Sequence, residues 1–115
     1  MSSLVITVKT EHGVYEVWKP RGRIAPKHFA IFAKFTKIVS ELQKMGLKDE
    51  EIFNVIAEDE RVMELYEKWV NTVLPHIIKS SPFEFDEIPF EDQWLIFLDV
   101  MGSANFPSID TDTFQ

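Results

Sequence analysis

The chain has 115 residues, enough for one ordinary domain and too few for a second core of normal size. With 45% hydrophobic and 13% aromatic residues it has the composition of a packed globular protein, and its lack of cysteine excludes disulfides, a thiolate nucleophile, iron–sulfur clusters and cysteine-based zinc sites. A formal net charge of −7 works against broad contact with a nucleic-acid backbone.

Met1-Ser2-Ser3 leads directly into a strand pattern, with no charged-then-apolar leader and no apolar run near the roughly 18 residues of a spanning helix. The expectation is a soluble, cytoplasmic chain that is not exported and has no membrane partner. Leu4 to Thr10 alternates, with Leu4, Ile6 and Val8 on one side and Val5, Thr7 and Lys9 on the other. Glu11-His12-Gly13 supplies a turn, and Val14 to Trp18 is a second β-rich run, so the two predict a hairpin. A lone hairpin is marginal in water, so one face must be covered, and its edge is a candidate assembly surface. Lys19-Pro20-Arg21-Gly22-Arg23 extends neither element easily and predicts a basic linker.

Pro26 suits a first helical turn, and apolar residues from Phe29 to Met45 recur at helical spacing, predicting about five turns ended by Gly46. The apolar arc is wide, since Phe29, Ile31, Phe32 and Phe35 cannot share one narrow stripe, so more than one neighbour must cover it. Leu47 to Ile52 starts a short second helix running to about Ala57, with three acids in its first turn and Lys48 as an imperfect N-cap. A third helix starts at Glu58-Asp59-Glu60, placing Val62, Leu65, Trp69, Val73 and Ile77 on one face, with a bend or break at Pro75 and an end at Ser80-Ser81-Pro82. Pro89 marks the start of a last helix carrying Phe90, Trp94, Phe97, Leu98 and Met101, closed by Gly102. The sum is an α+β fold: an N-terminal β-hairpin packed on a bundle of about four α-helices in a single domain over residues 1–102. Residues 103–115 read as a flexible acidic tail.

Charge is polarised along the chain. Through Lys44 eight Lys and Arg face three acids, a local +5, and from Met45 onward four face sixteen, a local −12. Such halves can satisfy each other within the fold or draw copies together head to tail.

Chemistry finds little foothold. His12, His28 and His76 have no i,i+4 partner or metal-binding spacing, and read as a turn residue, a first-turn surface residue and the neighbour of a proline bend. The acid clusters at Asp49-Glu50-Glu51, Glu58-Asp59-Glu60 and Glu91-Asp92 are what helix dipoles favour in first turns. The serines and glycines form no nucleophile elbow, phosphate loop or dinucleotide fingerprint, so no catalytic residue, metal or cofactor is assigned. Lys19, Arg21, Arg23 and Lys27 lie close to Trp18, where a base could stack while the cations meet phosphate. That gives an alternative reading as a small nucleic-acid-binding regulator or adaptor, which the overall charge disfavours. Most of the fifteen aromatic residues fall on inward faces, and the exceptions, Trp18, Phe83, Phe85, Phe106 and Phe114, are candidate exposed anchors.

The order of parts carries a resemblance. A short strand–glycine turn–strand unit ending in Trp18-Lys19-Pro20, a long helix, the run LYEKWVNTVLP from Leu65 to Pro75 and the run IPFEDQWLIFLDVMGSANF from Ile88 to Phe106 together resemble the tail assembly chaperones of long-tailed phages and related proviruses. The resemblance implies a non-enzymatic factor, made in the cytoplasm of the infected cell and absent from the mature particle. It would bind the tape measure protein and keep it soluble until the tail tube polymerises, would self-associate, and would need no cofactor. A tape measure is a long helical chain with apolar stripes, so its holder needs an aromatic groove or patch and a self-pairing surface. No recognition motif carries over residue by residue. The partner-binding surface nominated from the sequence is therefore the hairpin edge through Tyr15, Val17 and Trp18, the linker cations Arg21 and Arg23, and Phe106.

Overall fold

The structure is a computed structural model that describes residues 4–103. β-Branched residues set its first two strands, β1 (Val5–Thr10) and β2 (Gly13–Trp18), which pair antiparallel with Ile6 opposite Val17 and Val8 opposite Tyr15. These four side chains form the buried face, while Thr7, Lys9 and Val14 are exposed on the other.

α1 (Ile24–Lys44) begins two residues before Pro26, so the proline sits in the first turn where its missing N–H costs nothing. Gly46, at a φ of 89°, lets the chain leave the helix and turn into α2 (Asp49–Ile56). There the Lys48 backbone N–H donates to Glu51 Oε1 at 2.8 Å, so the acid supplies the cap that lysine lacks. α3 (Glu60–Thr72) is capped by Asp59, whose carboxylate accepts from the backbone N–H groups of Arg61 at 2.8 Å and Val62 at 3.4 Å.

α3 departs from the sequence expectation. It breaks off at Thr72, ahead of Pro75, as one of the two expected outcomes at that proline, but it does not resume toward Ser80, because proline lacks the N–H a continuing helix requires. A 3-10 turn over Leu74–His76 follows, and then a third strand, β3 (Ile78–Ser80), which periodicity did not indicate. Val73, Leu74 and Ile77 are buried all the same, so the helical spacing of apolar residues is met by the turn. β3 adds to β2, giving the order β1-β2-β3, and the Trp18 N–H donates to the Ile77 carbonyl at 2.7 Å. The hairpin is thus two-thirds of a three-stranded antiparallel sheet, and β2 is its centre, not an edge.

A second 3-10 turn (Phe85–Glu87) leads into α4 (Phe90–Ser103). α1 and α4 each pack on α3, α2 packs on α1, and α4 lies against β1. The centre of the helical layer is aromatic: Phe97 takes Phe35, Tyr66 and Trp69 edge-on at centroid distances of 5.4, 5.5 and 5.3 Å. The fold is α+β, as its sequence pattern indicates. Among the described residues no helix is long and apolar enough to cross a membrane. The expected acidic tail lies outside the described residues, apart from Ser103 at the end of α4.

Candidate protein-binding surface

The most concentrated chemistry lies between the hairpin and the start of α4. Asp92 is only 1% exposed, and its Oδ2 accepts from the Tyr15 hydroxyl at 2.6 Å. His12 Nδ1 lies 3.0 and 3.1 Å from the two carboxylate oxygens. A carboxylate can only accept, so Nδ1 carries the hydrogen. Burial pushes the Asp92 carboxyl upward, but the bonds from Tyr15 and His12 outweigh it and hold it below the usual carboxylate range. The same bond to Asp92 raises His12 above its ordinary value, and burial, with Asp92, raises Tyr15. The sequence puts Asp92 among the acids a helix dipole favours in a first turn, and His12 in a turn; it gives no sign that a tyrosine 77 residues away completes the cluster. Among the described residues no group of three His, Asp or Glu could hold a metal ion. The cluster fastens the hairpin to α4.

His28 also differs from its expectation as a surface residue. It is fully buried, accepts from the Trp69 indole N–H through Nδ1 at 3.1 Å, and lies among Phe29, Phe32 and Trp69. Accepting through Nδ1 requires the proton on Nε2, so the ring is neutral.

The nominated partner residues divide. Tyr15 and Val17 are fully buried against the helices, so neither presents to a partner; alternation correctly put them on one face, and that face is the inner one. Trp18 is half-buried and packs on the core, with the Arg21 guanidinium 4.7 Å above its ring and the Lys79 ammonium at 5.6 Å. A base stacking there would have to displace Arg21. Arg21 and Arg23 are exposed, and Phe106 lies outside the described residues.

A partly open apolar surface lies elsewhere. Along α1, Phe29, Phe32, Thr36, Val39 and Gln43 follow at spacings of three and four, and along α4 Leu95, Leu98 and Gly102 do the same. The two helices meet through Phe35 and Phe97, and above that contact they leave a groove of about 340 Å³. Phe32, Phe35, Val39, Leu98 and Met101 line it, with Thr36 and Gln43 as its polar members on α1. Phe29, 50% exposed, continues the α1 stripe, and Leu95, 37% exposed, continues that of α4. An open apolar trough between two helices has the shape that receives a third, amphipathic helix.

Helical spacing assigns these side chains to the core, and nothing in one sequence separates a face that packs on its own chain from one that packs on another. The width of the α1 arc is the available clue, since it demands more than one neighbour; α2 and α3 both pack on it, and Phe29 still stands half exposed. Comparisons with protein-family models, with curated proteins and with solved structures found no match.

Proposed function

We propose that this protein is a tail assembly chaperone of the long-tailed phage type, a non-catalytic factor that covers apolar helical segments of a tape measure protein until the tail tube forms around it. The observation that carries the proposal is the trough between α1 and α4, with half-buried Phe32, Val39 and Leu98 along it above buried Met101, and exposed Phe29 and Leu95 extending it. A soluble domain rarely leaves aromatic and aliphatic side chains in a row unless another chain covers them. A trough of this form grips an amphipathic helix by its apolar stripe, as holding a long helical polymer requires. The order of elements quoted from the sequence supports the same reading. Engagement of Trp18 by Arg21 and Lys79 weighs against the nucleic-acid alternative.

The test is co-expression with the tape measure protein encoded nearest to this gene. The wild-type chain is expected to keep the long protein in the soluble fraction and to co-purify with it, and a Val39→Glu, Leu98→Glu double variant to lose both properties while retaining its circular dichroism spectrum. Failure of the wild-type chain to co-purify with the long protein, or full retention by the double variant, overturns the proposal.

A further inference from the structure

α1 has a second open flank, with a different chemistry from the first. It runs antiparallel to α3, since Lys27 faces Lys68 and Thr72 at one end while Glu41 faces Arg61 at the other. Between the two helices lies a shallow groove whose floor is apolar, formed by exposed Ala30, buried Ile31 and half-buried Leu65. Its rim is rich in lysine: Lys27, Lys34 and Lys37 follow along α1, and Lys68 faces them from α3.

Among the described residues, none of these four lysines is in an ion pair. Arg61, by contrast, is engaged with Asp59 at 3.0 Å and Glu41 at 2.9 Å. The rim acids not paired in this way, Glu64 and Glu67, both stand on the α3 side. A chain of net charge −7 thus holds one groove where unpaired ammonium groups edge an apolar floor.

We propose that this groove docks an acidic amphipathic helix of another protein. The fourteen residue steps from Lys27 to Glu41 span about 21 Å at 1.5 Å per residue, room for nearly four turns of a ligand helix. Lys27 and Lys34 stand two turns apart, so a ligand carrying Asp or Glu at i and i+7 on one flank and small apolar residues between would satisfy both cations and cover the floor. A phosphate backbone would satisfy the lysines but leave the apolar floor uncovered, and it would meet Glu64 and Glu67. The helix suits the groove better. This proposal is independent of the tail-chaperone reading, which rests on the other flank of α1.

The experiment measures fluorescence anisotropy of two labelled synthetic peptides of about 18 residues against the full chain. Both carry Leu and Ala at helical spacing; one bears Glu on its flanks and the other Lys. The acidic peptide is expected to bind at least about tenfold more tightly than the basic one, and to weaken as salt shortens the screening length. A Lys34→Glu, Lys68→Glu double variant is expected to reverse the preference with no change in circular dichroism, and the Val39→Glu, Leu98→Glu variant is expected to bind the acidic peptide as wild type does. Equal affinity for the two peptides, binding of neither, or an unchanged preference in the lysine variant overturns the proposal. So does self-association that disappears in that variant, which would give the groove to a second copy. Displacement of the acidic peptide by duplex DNA at lower concentration than by unlabelled peptide also overturns it.

Discussion

The Tyr15 hydroxyl donates to Asp92 Oδ2 at 2.6 Å, joining the central strand of the sheet to the first turn of the last helix. With almost no solvent at the carboxylate, loss of a partner is not repaired by water. Tyr15→Phe is expected to cost about 1–3 kcal/mol in urea unfolding. Asp92→Ala, which also strips His12 of its partner, should cost about 3 kcal/mol or more. A Tyr15→Phe variant of unchanged stability would show that this bond does not fasten the hairpin to α4.

The same cluster sets a pH window. His12 is raised above its ordinary 6.5, so the stability it contributes is complete below that value and is lost as pH rises through its folded pKa. Asp92 is lowered below 3.8, so its contribution is complete above that value and is lost as pH falls through its folded pKa. Stability from the cluster is therefore greatest between about pH 4 and 6.5. His12→Gln is expected to flatten the decline on the alkaline side and also to weaken the acid limb, because His12 helps hold Asp92 low, as measured by urea midpoints across pH.

Two glycines with positive φ separate backbone strain from crowding. A Cβ at Gly13, at a φ of 140°, would meet Pro82 Cγ at 3.1 Å, whereas one at Gly22, at a φ of 62°, would meet nothing within 4 Å. Gly22→Asn is expected to be tolerated to within about 1 kcal/mol, because asparagine enters the left-handed region at modest cost. Gly13→Asn should lose about 2 kcal/mol or more, through backbone strain together with displacement of Pro82. Thermal unfolding of the pair checks both.

Phe29 and Phe35 lie six residues apart on α1, on different faces, and should behave differently. Phe29 is half exposed, so Phe29→Ala is expected to change stability by no more than about 1 kcal/mol while weakening retention of a helical client. Phe35 is buried against Phe97, so Phe35→Ala should cost about 3–5 kcal/mol. Denaturation curves and co-purification, read together on both variants, make the comparison.

What the sequence could show followed the range of its signals. β1, β2, α1, α2 and α4 are announced by local periodicity and by punctuation such as Pro26, Gly46 and Pro89. β3 is not, because Ile77 and Ile78 continue the helical spacing of α3 and become strand-forming only where the backbone of Trp18 is there to pair with them. The site was less legible. Alternation grouped Tyr15 with Val17 but could not say whether their shared face looked inward, and the trough stripe on α1 has the same period as the stripe that packs on α3. Asp92 looked like any acid at a helix start, since its importance comes from His12 and Tyr15, more than 75 residues earlier.

The fastening of the hairpin to α4 has a consequence for how the molecule opens. Excision of the strands or of the final helix would strip the other of its buried carboxylate bond and of the α4–β1 packing, so the two ends of the described chain belong to one cooperative unit although nearly the whole sequence separates them. In native-state hydrogen exchange the amides of Val8, Val17 and Phe97 should therefore open with a shared free energy, while those at the exposed turn of Lys44 to Lys48 exchange earlier.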